Sequence, residues 1–199
     1  MDKQTFLNRI RAAEMSSGRT QNIVEFSDAD TVSFPVINGL ETREAFEKNF
    51  ANNHGDIISS PENIAEFLKS KGCKKGVIDS ALDTTFGLER EFEITREFDR
   101  QNPDSFDFGI SRASMAIAES GAIVLKDSST SDRMATIAPW VHIAVIDKNT
   151  IERTIPEALA KIVDCPYAIV ISGPSKTTDV EGVLVEGVHG PGVQACLII

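Results

Sequence analysis

The chain has 199 residues, 41% of them hydrophobic and 25% charged, enough to bury a sizeable core as a single ordinary globular domain over 1–199. Thirty acidic against twenty basic side chains leave a net charge of −10, which opposes non-specific binding to nucleic acid or to an anionic membrane surface. No apolar stretch approaches the roughly 18–20 residues that cross a bilayer. The start MDKQTFLNRIRAAEM has no apolar signal-peptide core, so the expected location is the cytoplasm.

In chain order, Phe6, Leu7 and Ile10 mark one stripe of a first helix. Residues 16–41, rich in Ser, Thr, Asn and Asp, read as loop. Over 42–53, Thr42 precedes an acidic first turn and Ala45, Phe46 and Phe50 fall at helical spacing. Ser60-Pro61-Glu62 opens a third helix with Ile64, Phe67 and Leu68 inward, and Gly72 closes it, making 1–70 a helical N-terminal portion. Val77-Ile78-Asp79 reads as a short strand, and EFEITREF alternates as a half-exposed strand does.

From Gly109 the pattern sharpens. Ala122–Leu125, Val141–Ile146, Ala168–Ser172 and Val193–Ile199 are compact Val/Ile-rich runs of the kind covered on both faces in a parallel or mixed sheet. Helical spacing over Pro156–Val163 between the second and third of them predicts a right-handed β–α–β crossover. The fold class expected is therefore α/β, three layers with a mostly parallel sheet.

Three segments carry candidate chemistry. Ser172-Gly173-Pro174-Ser175-Lys176-Thr177 follows a strand and precedes a predicted short helix with Val180, Val183 and Leu184 inward. Small residues and a helix N-terminus there would suit an anion, with Lys176 adding a point charge; the alternative is an ordinary capped turn. Gly187-Val188-His189-Gly190-Pro191-Gly192 is a tight turn exposing backbone, with His189 a candidate general acid or base and Gly190 a candidate contact. Gly109–Gly121 contains Ser111, Arg112 and the lone carboxylate Glu119, a base, a ligand acceptor or half of an ion pair with Arg112 or Arg133. His142, inside VHIAVI, reads as a core residue, and no zinc site, hydrolase triad or dinucleotide fingerprint is present. Cys73, Cys165 and Cys196 are too dispersed for an iron–sulfur cluster, and Cys196 reads as a small buried hydrophobe.

AIAESGA, VHIAVI and ISGPSKTTDVEGVLVEGVHGP, in that order over residues 109–192, together resemble the LUD domain as found in the lactate-utilisation protein C family. Residues 109–199 are the best-matching core. The resemblance implies a fold like that of the ribose-5-phosphate isomerase and CoA-transferase group. It also implies a role in oxidising lactate as an accessory subunit without its own cofactor, beside partner proteins that carry iron–sulfur clusters. A small organic acid or phosphate-bearing ligand would then meet Ser111, Arg112, Arg133, Ser172, Gly173, Ser175, Lys176, Thr177 and Gly190. The other reading is a stand-alone enzyme acting on a small phosphorylated or carboxylated metabolite. Two departures from the family pattern are the glycine-free loop Lys126–Arg133 and Trp140, where a second proline is common.

Overall fold

The Val/Ile runs assemble around a parallel sheet in the computed structural model, which describes residues 2–17, 39–130, 132–178 and 182–199. Contacts cluster into two units, Met1–Val32 and Ser33–Ile199. Of the first unit, the described part is helix α1 (Lys3–Ser16), started by Asp2, whose side chain accepts from the Thr5 N–H at 2.9 Å. Most of the loop expected over 16–41 lies outside the described residues.

The second unit contains α2 (Thr42–Asn52), β1 (Asp56–Ile58), α3 (Ile64–Ser70), β2 (Lys75–Ile78), β3 (Glu93–Thr95), β4 (Phe108–Arg112), β5 (Met115–Ile117) and β6 (Ala122–Lys126). It continues with α4 (Met134–Ile137), β7 (Val141–Ile146), β8 (Ile151–Glu152), α5 (Ile155–Ala160), β9 (Ala168–Ile171), β10 (Lys176–Thr177), β11 (Val185–Glu186) and β12 (Val193–Ile198). Six strands pair in the order β1-β12-β7-β4-β2-β3, and every neighbouring pair is parallel. A second sheet, β8-β5-β6-β9, is mixed, with β5/β6 and β6/β9 antiparallel.

Strand alternation divides the core. Ile78, Phe108, Ile110, Ile143, Val145 and Leu197 turn to one face, under Ile64 and Leu68 of α3. Ala144, Ile146 and Cys196 turn to the other, against Phe46 and Phe50 of α2 and Ala116, Ile123 and Leu125 of the second sheet. Ala135 of α4 covers Val77 beside Phe98 and Phe106. The far side of the second sheet, through Met115, Ile117, Ala122 and Val124, packs on Ala158 of α5. Each large side chain buried this way contributes about 1.5–3 kcal/mol. α5 is fixed by a full capping box between Thr154 and Glu157.

The mostly parallel sheet with helices matches the expectation, and one connection does not. The β–α–β crossover expected from Val141–Ile146 to Ala168–Ser172 would put both strands in one sheet, running parallel. The described strand of Ala168–Ser172, β9, instead joins the second sheet antiparallel to β6, from Ile171 opposite Ile123 to Ala168 opposite Lys126. At that sheet's edge Val170 is half exposed, although the run is uniformly apolar. Apolarity alone does not report which sheet a strand enters. Among the described residues no helix is long and apolar enough to cross a membrane.

Candidate functional site

The residues singled out from the sequence fall at opposite edges of the parallel sheet. Residues 172–177 and 187–192 lie near the edge where β7 and β12 begin. Ser175 donates its N–H to the Pro191 carbonyl at 2.9 Å and accepts from the Gly187 N–H at 2.9 Å. Gly190 stands against Ser175, with 3.3 Å between the Gly190 Cβ position and the Ser175 Cβ. These bonds hold residues 176–177 extended, and they pair with β11 as a two-stranded ladder. The helix expected after the turn is therefore replaced by a hairpin in its described part, and Val180 lies outside the described residues. Val183 and Leu184 are exposed, not inward. With no helix begun at Lys176, the dipole argument for an anion there lapses.

Further bonds tie this turn to the end of α2. Gly173, at φ +92°, approaches Asn53 so closely that a Cβ would lie 2.1 Å from the Asn53 carbonyl oxygen. Lys176 Nζ donates to that same oxygen at 3.0 Å, and Asn53 Nδ2 donates to the Ser120 carbonyl at 2.8 Å. His54, also in a left-handed conformation (φ 68°), bonds through Nδ1 to Glu186 at 2.8 Å. Ser172 and Thr177 belong to the same connection, Ser172 exposed and Thr177 in the ladder to Val185. His189 is exposed and lines a cleft with Asp104, Asp107, Ile137 and Trp140. The indole of Trp140 lies on Gly187 and Gly192, where a Cβ on either would meet it at 2.3 Å, so both glycines are needed for that packing.

Glu119 is occupied elsewhere. Its Oε2 accepts from the Ile155 N–H at 2.8 Å, at the first turn of α5, where a carboxylate meets the positive end of the helix. Glu119 and Lys176 thus bond to different partners, and His189 lines a cleft that includes neither of them. Arg133 stacks on Tyr167 at 4.1 Å and reaches Asp127 at 3.5 Å. Ser111 is fully buried and its Oγ has no hydrogen-bond partner among the described residues.

Arg112 leads to the other edge. Where β2, β4, β7 and β12 end lies a crevice of 480 Å³, lined by Ala81–Thr84, Phe86, Arg112, Ala113, Ser114, Lys126, Ser128, Ser129, Val145, Asp147, Thr150 and Ile199. Its walls are mixed, with Leu82, Phe86, Val145 and Ile199 apolar and Thr84, Ser114, Ser128, Ser129 and Thr150 carrying hydroxyls. Arg112 ends β4; its backbone N–H donates to the buried Asp79 at 3.3 Å, and among the described residues its guanidinium makes only a 3.5 Å bond to the Ala81 carbonyl. Lys126 also lines the crevice, but its ammonium is taken by the Lys161 carbonyl at the end of α5, 3.1 Å away. Ser114 and Ser129 share a hydrogen bond through their hydroxyls, and Thr130 Oγ1 donates to the Arg112 carbonyl at 3.0 Å. Phe86, at φ 56°, holds a backbone conformation unusual for a bulky residue, at the mouth of this crevice.

Of the candidates, only Arg112 reaches this crevice. Ser114, Ser128, Ser129, Thr84, Thr150, Asp83 and Asp147 were not anticipated. The one signal pointing to any of them was the polar run Lys126–Arg133 between two buried segments. Among the described residues no group of three or more His, Cys, Asp and Glu is placed to hold a metal ion.

A parallel sheet with a crevice outside the carboxyl ends of its strands defines an α/β protein, and that crevice lies where open α/β sheets usually place their ligands. The chain belongs to the LUD domain family, whose model matches residues 78–199. It is 35% identical over 172 residues to the lactate utilization protein C of Anoxybacillus flavithermus, covering 84% of this chain and 73% of that one. It is 33% identical over 167 residues to lactate utilization protein C 1 of Bacillus mycoides, covering 71% of each. Against the lactate utilization protein C of Bacillus subtilis the match is 34% over 99 residues, 41% of that protein's length. A DUF162 family protein from Deinococcus radiodurans, solved by crystallography, shares the fold with a TM-score of 0.58 at 19% identity, over 79% of this chain and 95% of that one.

Proposed function

We propose that this protein serves lactate utilisation as an accessory subunit that binds a small carboxylate- or phosphate-bearing ligand in the crevice at the carboxyl edge of the sheet. The role is taken from relatives named for lactate utilisation that cover most of this chain. The observation that carries the ligand is Arg112, a guanidinium at the end of a central strand whose one hydrogen bond among the described residues is 3.5 Å long. Such a group is free to form short, charge-assisted bonds with a carboxylate or phosphate. Ser128 lines the same crevice and adds a hydroxyl to it.

The redox chemistry is assigned to partner proteins. A cluster takes about four closely spaced ligands, whereas Cys73, Cys165 and Cys196 stand in three different parts of the chain. Burial also pushes the Cys73 thiol up to about 11 and the Cys196 thiol higher still, away from the thiolate a metal needs.

The test has two parts. A tagged chain recovered from its native cells grown on lactate should bring down cysteine-rich iron–sulfur proteins in stoichiometric amounts; recovery of the chain alone would remove the accessory-subunit reading. Calorimetric titration of the purified chain with lactate, pyruvate and inorganic phosphate should show saturable binding of at least one of them. No heat from any of the three at millimolar concentration would remove the ligand.

A further inference from the structure

The guanidinium of Arg112 stands where the charged part of the crevice meets an apolar wall. Arg112 and Val145 are register partners on β4 and β7, so their side chains leave the same face of the sheet, the face of Ile110, Ile143 and Leu197. Ile199, two residues beyond Leu197, falls on that face as well, with its N–H bonded to the Ile146 carbonyl at 2.9 Å. Leu82 and Phe86 close the wall from the segment after β2. The 3.5 Å bond from Arg112 to the Ala81 carbonyl sets the charge beside the residue that precedes Leu82.

This wall is in place before any ligand arrives. Leu82 and Val145 belong to the buried core, and Phe86 packs against the same cluster. Arg96 donates to the Asp79 and Leu82 carbonyls at 2.9 and 2.8 Å, which fixes the turn carrying Leu82. Phe86, its N–H bonded to Thr84 Oγ1 at 2.9 Å, keeps a left-handed conformation that is costly for a bulky residue. Apolar surface lining a preformed crevice gains free energy when a ligand's apolar part covers it.

Size and charge narrow the ligand further. The 480 Å³ of the crevice is the liquid share of roughly sixteen waters at ~30 Å³ each, far more than a three-carbon acid fills. Asp83 and Asp147 line it together with Arg112, while the Lys126 ammonium is turned to the Lys161 carbonyl. One available guanidinium among two carboxylates suits a single negative charge and repels a second. A phosphate ester carries about 1.5–2 charges at neutral pH and is disfavoured against a carboxylate on that count.

We infer that this crevice, on the reading that it is the ligand site, selects a monocarboxylate with an apolar chain or ring, the carboxylate on Arg112 and the body over Leu82, Phe86, Val145 and Ile199. The experiment is calorimetric titration of the full chain with three 2-hydroxy acids that share one head group: lactate, 2-hydroxyhexanoate and malate. The longer chain of 2-hydroxyhexanoate should make it bind roughly 10- to 50-fold more tightly than lactate. Malate, which ends in a second carboxylate, should bind no more tightly than lactate.

Phe86→Asn removes the ring but keeps a residue type that accepts positive φ, and should bring the hexanoate-to-lactate ratio below about fivefold. If that variant fails to fold, Ile199→Ala, at the exposed end of the wall, should cut the ratio at least about twofold. Equal binding of lactate and 2-hydroxyhexanoate, both lost in Arg112→Gln, would overturn the apolar-body inference and leave the anion site standing. A chain-length gain that survives both wall substitutions, or malate as the tightest ligand, would overturn it as well. Absence of binding by all three acids would remove the ligand site itself, and the inference with it.

Discussion

The Cβ position of Gly173 falls 2.1 Å from the carbonyl oxygen of Asn53, so the turn at 172–176 rests directly on the C-terminal end of α2. From the other side, a Cβ at Gly121 would lie 2.4 Å from both the Asn49 carbonyl carbon and the Phe50 nitrogen. Two motifs that resemble ligand loops in the sequence therefore grip one helix end between them. Both glycines also hold positive φ, 92° and 62°, where a side chain is strained in any case. Gly173→Ala is expected to lower stability by roughly 2–4 kcal/mol, because backbone atoms on both sides must move. The sole tryptophan, Trp140, reports unfolding by its fluorescence in urea, and a loss below about 0.5 kcal/mol would refute the clamp.

His142 makes the folded state sensitive to acid. Burial lowers it from 6.5 to about 4, with the Gln194 bond only partly opposing. Below pH 6.5 the unfolded chain takes up a proton on this residue that the folded chain refuses. Stability from this group is therefore whole above pH 6.5, falls as pH drops toward 4, and changes no further below that. The full difference is about 3 kcal/mol. His142→Gln should show a shallower loss of stability between pH 6.5 and 4 than the parent chain. Parallel curves for the two proteins would show that His142 is not the group responsible.

Asn49 and Glu119 test the same junction by their hydrogen bonds. Asn49 Nδ2 donates to the Ala118 carbonyl at 2.7 Å and the Glu119 carbonyl at 3.3 Å, pinning α2 to the turn between β5 and β6. Glu119 holds the first turn of α5 by its carboxylate. Asn49→Ala leaves buried carbonyls unmet and should cost about 1–3 kcal/mol. Glu119→Gln keeps an acceptor but loses the charge at the helix end, and should cost only about 0.5–1 kcal/mol. If Glu119→Gln instead abolished ligand binding with stability intact, the carboxylate would be part of the site.

Much of the fold is legible because its signals are local. Alternation and Val/Ile runs mark β6, β7 and β12, and Phe46 and Phe50 at helical spacing mark the buried face of α2. Gly72, at φ 75°, ends the segment of α3 as its position suggests. What is not local is lost. β9 reads like any buried strand, yet it pairs antiparallel with β6, a choice set by which partner lies across the core. The candidate site suffers more. Gly, Ser, Pro and Lys at 173–176 have the composition of an anion loop, but the same small residues are what close approach to Asn53 demands. The crevice draws on Asp83, Arg112, Ser129, Asp147 and Ile199, spread over more than half the chain, and only the topology of the sheet gathers them.

Arg112 and Lys176 therefore make opposite predictions from equally suggestive sequence contexts. Lys176 is exposed, and its ammonium is already bonded to Asn53 at 3.0 Å, at the edge of the sheet away from the crevice. Removing it as Lys176→Ala should leave anion binding within about twofold of the parent, with a loss of at most ~1 kcal/mol in stability. Arg112→Gln removes the guanidinium but keeps a polar chain of similar reach, and Asp79 still receives the backbone N–H of residue 112. A charge-assisted bond contributes about 1.5–3 kcal/mol, so this change should weaken binding of a carboxylate or phosphate roughly 10- to 100-fold. Calorimetric titration of the two variants beside the parent decides between the two edges of the sheet. Loss of binding in Lys176→Ala with Arg112→Gln unaffected would move the ligand to the edge where β7 and β12 begin, and the carboxyl-edge crevice would no longer be the site.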